Sequence, residues 1–265
     1  MINFGIIGAS GRMGQTIARL SLEDRHFQLI AAIEHENHPQ FEKKFEIPGR
    51  KFDFQLTSLK NLRPDKLQGM IDFSLPVSVT ENVRYCEKNK IPIVIGTTGY
   101  SDEQLEKIKI SSSNIPILLS SNMSIGVNML FELVRSAASS LRDKGFSPEI
   151  TEIHHRHKKD APSGTAKSLY KIIQNEYKLK DDSIIFGREG ETGERPTDQM
   201  GVFALRGGDV VGDHTVYFIA DGERIELKHQ AHTRDTFAAG ALKALQFIVQ
   251  CRPGLYGMRD VLQLK

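Results

Sequence analysis

The sequence predicts an α/β chain: a Rossmann-like parallel sheet first, then a second α+β domain carrying a mixed or antiparallel sheet. Three observations carry this. Short apolar runs alternate with helical patterns through residues 1–124. The first strand–helix junction is a glycine turn, Gly8-Ala-Ser-Gly-Arg-Met-Gly14. Late in the chain, strands follow one another directly, with Asp221-Gly222 as a hairpin signal. The expected domains are residues 1–124 with 235–265, and residues 125–234.

Residues 2–9 read as an apolar strand, and Ile17, Ala18 and Leu20 form the apolar face of the helix after the glycine turn. Residues 27–33 are a second apolar strand, ending at Glu34. In this βαβ order Gly8 permits the tight turn, Gly11 lets backbone approach a pyrophosphate, and Gly14 lets helix and strand pack closely. Glu34 stands where an acid accepts from a ribose hydroxyl. The spacing is G-x-x-G-x-x-G rather than G-x-G-x-x-G, and a glycine turn alone can simply turn. Strand, helix, strand and terminal acid in order point to dinucleotide binding in a Rossmann-like domain.

Residues 35–67 are polar and without a clear period; Pro48-Gly49-Arg50-Lys51 reads as a loop. Alternation then resumes with a strand at 69–75, a helix at 76–88 opened by Pro76, and a strand at 91–95 ending in Gly96-Thr97-Thr98-Gly99. A helix at 101–110 with Asp102 and Glu103 in its first turn follows, then a strand at 115–119 ending in Ser120-Ser121-Asn122-Met123-Ser124. Repeated βα units imply right-handed crossovers, with ligands beyond the carboxyl ends of the strands. Both polar segments sit at such ends, although each by itself also reads as a turn.

After a long helix at 125–141 comes the densest chemistry in the chain, Glu152-Ile-His154-His155-Arg156-His157-Lys158-Lys159-Asp160-Ala-Pro-Ser163-Gly164-Thr165. As a strand, 149–155 puts His154 and Arg156 on one face and His155 and His157 on the other. Ala161-Pro162 breaks the strand, and Ser163 is a good N-cap for a helix through Ala166, Leu169, Ile172 and Ile173. The first N–H groups of that helix, around Gly164 and Thr165, form an anion site for a carboxylate or phosphate. A basic run is also what a solvated face looks like. Three histidines can hold zinc, but alternation splits them and no cysteine is near, so no metal site is expected.

Strands at 183–186, 202–205, 215–220 and 224–228 follow, the last with Ile225 and Leu227 inward. The glycine-rich connection 206–214 reads equally as functional or as a flexible loop. Residues 236–251 are an apolar helix, with no strand signal after it, expected to return to the first domain.

A net charge of +2 excludes a bulk attraction to nucleic acid or a membrane surface. Cys86 and Cys251 show no CxxC spacing and fit reduced thiols in a cytoplasmic protein. No apolar run is long enough to span a bilayer, and the N-terminus lacks a signal-peptide pattern.

The collected motifs are Gly8-x-x-Gly-Arg-Met-Gly14, Gly96-Thr-Thr-Gly99, Glu152-x-His-His-Arg-His-Lys158, Asp160-Ala-Pro-Ser-Gly-Thr165, Arg188-Glu-Gly-x-Thr-Gly-Glu-Arg195, Gly212-Asp-His214 and Gly257-Met-Arg-Asp-Val-Leu262. Together they resemble the 4-hydroxy-tetrahydrodipicolinate reductase (dihydrodipicolinate reductase) family over nearly the whole chain. The resemblance implies reduction of 4-hydroxy-tetrahydrodipicolinate to tetrahydrodipicolinate with NADH or NADPH and loss of water, on the diaminopimelate route to lysine. It implies that His154 is the proton donor/acceptor, that Lys158 is a proton donor, and that His155, Gly164 and Thr165 bind substrate. It assigns the dinucleotide to Gly8, Ala9, Ser10, Gly11, Arg12, Met13, Glu34, Gly96, Thr97, Thr98, Ser120, Ser121, Asn122 and Met123. It also implies a homotetramer, with the cyclic dicarboxylate as the small-molecule partner.

Physical reasoning agrees on the substrate: helix N–H groups suit a carboxylate, and hydride addition raises a negative charge that a proton donor must quench. Lys158 among other cations is expected to be a readier acid. Closure between the domains is expected, with hinges near 123–124 and 233–235. One departure is His35, where many family members carry Arg beside the strand-end acid. NADH is therefore expected to serve at least as well as NADPH. Two other readings are a Rossmann oxidoreductase acting on a sugar or amino acid, and a NAD(H)-sensing regulator without turnover. A regulator would need no proton donor.

Overall fold

The computed structural model describes residues 1–264. In chain order the elements are β1 (Ile2–Ile7), α1 (Arg12–Glu23), β2 (Phe27–Ile33), β3 (Lys44–Ile47), β4 (Arg50–Thr57), β5 (Gly69–Asp72), α2 (Val79–Asn89), β6 (Ile93–Ile95), α3 (Asp102–Ser112), β7 (Pro116–Leu119) and α4 (Ile125–Leu141). They continue with β8 (Ser147–His154), α5 (Gly164–Tyr177), β9 (Ile184–Ile185), β10 (Met200–Arg206), β11 (Gly212–Ala220), β12 (Glu223–Ala231), α6 (Asp235–Ile248), β13 (Gly254–Tyr256) and α7 (Met258–Val261). The chain divides into two compact units, Met1–Ile125 with Arg234–Lys265, and Gly126–Thr233. None of the described helices is long and apolar enough to cross a membrane.

The first unit is the expected Rossmann-like sheet, in the order β13-β7-β6-β5-β1-β2-β4-β3. Every pairing except β3 with β4 is parallel. Alternation along the strands sends side chains to two cores. Phe4 and Ile6 join Ile17 of α1 and Leu245 of α6 on one face. Ile7 and Ile95 join Val83 of α2 and Ile108 of α3 on the other. Ser101 opens α3 with a capping box to Gln104.

Three features depart from expectation. The stretch without a clear period contains the β3–β4 hairpin, so Arg50 and Lys51 lie in a strand and only Pro48-Gly49 turn. Phe45, Phe52 and Phe54 pack ring against ring there, an apolar seam hidden among charged residues. Residues 76–78 form a short 3-10 turn ahead of α2. A short strand, β13, does follow the last long helix and adds to the sheet edge beside β7.

The second unit is a five-stranded mixed sheet in the order β12-β11-β8-β10-β9. β10 runs parallel to β8, and β11 antiparallel. Helices α4 and α5 cover one face, where Leu130, Val134, Leu169 and Ile173 pack on Ile150, Val202, Val216 and Phe218. Leu205, Ile219 and Ile225 are exposed, so Ile225 is not the inward residue its alternation suggested.

Candidate active site

In the first unit, strand register lines up the candidate cofactor segments. Ile33 pairs with Ile7, Ile7 with Asp72, Asp72 with Ile95, and Ile95 with Leu119. The next residues, Glu34, Gly8, Phe73, Gly96 and Ser120, therefore form one row along the carboxyl edge of the sheet. Four strand spacings separate its ends, about 19 Å. The order reverses between β1 and β5, where a crevice opens in such sheets.

The glycine turn has its reasons in geometry. Gly8 has φ +78° and runs against the backbone of Phe73, where a Cβ would come 2.7 Å from the carbonyl oxygen. A Cβ on Gly14 would come 2.6 Å from Ala9 Cα, so only glycine lets α1 sit this close to the turn. Gly11 is the N-cap of α1 and provides no side-chain cap. The N–H groups of the first helical turn thus find no acceptor in the side chain of their cap residue.

A cavity of about 510 Å³ lies here, lined by Gly8, Ser10, Gly11 and Glu34 among the expected residues. Sequence reading missed Ser58, Lys60, Phe73, Ser74 and Asn82 on its wall, and had no place for His38. Ser58 and Lys60 follow β4, which was not recognised, and Phe73 and Ser74 follow β5, whereas Asn82 lies in α2 and His38 in the segment after β2. The Ser10 N–H donates to Glu34 Oε1 at 2.7 Å. Ser10 Oγ and Ser58 Oγ are buried in the protein without a hydrogen-bond partner, and both residues line the cavity. Unmatched hydroxyls, a helix N-terminus and a strand-end acid fit a dinucleotide with its sugar hydroxyls and pyrophosphate.

The other expected residues lie outside this cavity. Ala9 and Met123 have core side chains, so they offer a ligand only backbone. Thr97 is buried and donates to Asp72 Oδ1 at 3.2 Å. Ser120 Oγ donates to the Asn122 carbonyl at 2.8 Å, closing the turn after β7 on itself. Asp72, fully buried, also accepts from Ser74 N–H and Asn82. Burial pushes its carboxyl pKa up, against those hydrogen bonds. The acid thus ties together the segments after β5 and β6.

In the second unit the basic stretch is placed differently from the simple alternation. β8 ends at His154, so Arg156 does not continue its face. His154 shares its face instead with Glu152, two residues earlier and fully buried. Glu152 Oε2 accepts from His154 Nδ1 at 2.5 Å and Arg206 Nη1 at 2.8 Å. Its Oε1 accepts from Arg206 Nη2 at 2.8 Å and Ser163 N–H at 3.0 Å. Burial works against the charge on Glu152, but these donors outweigh it and hold its pKa down at about 2.

Ser163 caps α5 by accepting from Ala166 N–H at 3.2 Å, and its hydroxyl meets His214 Nε2 at 3.0 Å. His214 lies edge-on to His154, with ring centroids 5.1 Å apart. Burial, reinforced by His154, pushes the His214 pKa down to about 3, so its ring is neutral at ordinary pH. Gly164 opens α5 and is exposed, with nothing within 4 Å of where a Cβ would stand. Thr165 follows it, half-buried. His155 donates its N–H to Val210, and its ring lies 6.2 Å from that of His157. The charge touching Lys158 Nζ is the Asp160 carboxylate, at 2.9 Å, rather than another cation. His154, Ser163 and the start of α5 thus form one connected cluster, with Lys158 nearby in sequence on the loop that joins β8 to α5. No three His, Cys, Asp or Glu among the described residues come together to hold a metal ion.

Residues 2–123 match the family model described as dihydrodipicolinate reductase, N-terminus, and residues 126–262 match that for its C-terminus. A 4-hydroxy-tetrahydrodipicolinate reductase of Aquifex aeolicus is 47% identical over 267 residues, covering 98% of each chain. One from Methanopyrus kandleri is 45% identical over 269 residues, covering 99% of this chain and 97% of the relative. A dipicolinate-bound dihydrodipicolinate reductase from Paenisporosarcina sp. superposes with a TM-score of 0.78 at 24% identity, over 98% of this chain and 99% of that one. At that identity the likeness speaks for the fold.

Proposed function

The chain belongs to the dihydrodipicolinate reductase family and reduces 4-hydroxy-tetrahydrodipicolinate in diaminopimelate and lysine biosynthesis, and from that premise we propose how its residues divide the work. The reaction adds a hydride and a proton to a cyclic dicarboxylate and releases water. A bound nicotinamide cofactor, which the family implies, supplies the hydride.

In the first unit, the α1 N-terminus with Gly8, Ala9, Ser10, Gly11, Arg12 and Met13 holds the pyrophosphate. Glu34 accepts from the adenine-side ribose. The row formed with Gly96, Thr97 and Thr98, then Ser120, Ser121, Asn122 and Met123, carries the nicotinamide end. Supporting this are the shared sheet edge and the unmatched Ser10 and Ser58 hydroxyls. NADH serves at least as well as NADPH, because Glu34 accepts from a free ribose diol and repels a phosphate there.

In the second unit, N–H groups of Gly164 and Thr165 hold one substrate carboxylate and His155 adds a donor. His154 transfers a proton and Lys158 supplies one. The observation that carries this reading is the hydrogen bond from Ser163 N–H to Glu152 at 3.0 Å. It joins the cap of the anion-binding helix to the carboxylate that holds His154.

The exposed Leu205, Ile219 and Ile225 support assembly of this chain into a homo-oligomer, a tetramer by family likeness. Two free cysteines support a cytoplasmic setting. The test is a coupled assay in which substrate is made enzymatically and loss of NADH absorbance is followed. A sensor without turnover would leave the absorbance flat, and that result would overturn the reading.

A further inference from the structure

We infer that Glu152 is a positioning residue for proton transfer: it fixes which nitrogen of His154 carries the resident proton, and locks that ring to the cap of the anion-binding helix. The inference rests on the reading of His154 as the proton-transfer group.

The argument is one of donors and acceptors. Glu152 is fully buried, and each of its oxygens accepts two hydrogen bonds. Arg206 and the Ser163 backbone can only donate. The carboxylate, held ionised by them, can only accept. The hydrogen between Glu152 and His154 therefore belongs to Nδ1, which leaves Nε2 as the nitrogen that exchanges a proton with substrate. A plain structural ion pair with Arg206 would account for two of the four hydrogen bonds. It does not account for the other two, which go to His154 and to the α5 cap.

Register explains why the cluster assembles. Glu152 and His154 are two apart on β8 and share a face. Arg206 pairs with His154 on β10, and His214 pairs with Glu152 on β11. Gly212, on the same face as His214, lies at the edge of His154 that Glu152 leaves open; a Cβ there would come 2.9 Å from Nε2. Any side chain at 212 would have to displace the ring and with it the bond to Glu152. The neutral His214 beside it adds no competing charge.

The test uses Glu152→Gln in the full-length enzyme. A carboxamide oxygen placed for Ser163 and Arg206 puts its NH₂ against His154 Nδ1, which then accepts, and the proton moves to Nε2. The expected result is a kcat about 10²-fold lower or more, the scale of a misplaced proton-transfer group, with the NADH dissociation constant unchanged. Selective ¹⁵N labelling at alkaline pH should show protonated Nδ1 in the parent enzyme and protonated Nε2 in the variant. Because E152Q also leaves Arg206 short of charge, it can fail to fold. The ¹⁵N spectrum of the parent enzyme then decides alone, and a proton resident on Nε2 there overturns the inference. A folded E152Q with near-parental kcat, beside a slow His154→Ala, overturns the role of Glu152 while sparing that of His154. A near-parental His154→Ala overturns both.

Discussion

The backbone N–H of Ser10 donates to Glu34 Oε1 at 2.7 Å, tying the acid at the end of β2 to the glycine turn after β1. The carboxylate is thus held at the rim of the crevice in a fixed pose. Its charge faces the same cavity as His35, His38 and Lys60.

Cofactor choice follows from that pose. Glu34→Gln should raise the NADPH-to-NADH ratio of kcat/KM by roughly tenfold, the effect of ~1.4 kcal/mol of lost repulsion. Lys60→Ala should move the ratio the other way. Steady-state kinetics with both cofactors checks this; a ratio indifferent to Glu34 would remove it from the ribose site.

For the chemistry, His154→Ala and Lys158→Ala should each lower kcat by about 10²-fold or more. NADH affinity should not change, because the cavity is built from residues of the other unit. Binding measured by NADH fluorescence separates the two effects. Near-normal kcat in both variants would sink the assigned roles.

Substrate grip is testable at Gly164. A side chain there meets no protein atom within 4 Å, so Gly164→Val should fold with near-parental thermal stability. It should nevertheless raise KM by about tenfold or more by blocking carboxylate approach. Pyridine-2,6-dicarboxylate should compete with substrate in the parent enzyme. Equal inhibition by the monocarboxylate would count against a two-carboxylate site.

Acid should loosen the second unit in two stages. His214 has its pKa depressed from 6.5 to about 3, so folding favours the neutral ring. The unfolded chain binds that proton first, and stability falls as pH drops from about 6.5 towards 3. Glu152, depressed from 4.5 to about 2, adds a second loss below pH 4.5. Each group contributes a slope of at most about 1.4 kcal/mol per pH unit. Protection free energies of β8 and β11 amides from hydrogen exchange should show the trend, and His214→Asn should flatten the part between pH 6.5 and 4.5. A slope untouched by that change would place the acid sensitivity elsewhere.

Sequence alone determined the fold class, a parallel sheet followed by a mixed one, the glycine turn with Glu34, and the capped helix start at Ser163-Gly164-Thr165. Each is written in local chemistry: apolar periodicity, residues suited to a turn, and a side chain able to satisfy its own helix. The pairing of Glu152 with His154 was within reach by the same logic, since residues two apart on a strand share a face. Tertiary structure decided what depends on neighbours far away in the chain. The β3–β4 hairpin hid its Phe45, Phe52 and Phe54 seam among charges, because a short strand at a sheet edge buries only one side. Ser58 and Lys60 reached the cavity only because β4 pairs with β2. Arg206 and His214 came to Glu152 through strand register, across more than fifty residues of chain. Register is set by the packing of a whole sheet face, and no local pattern carries that information.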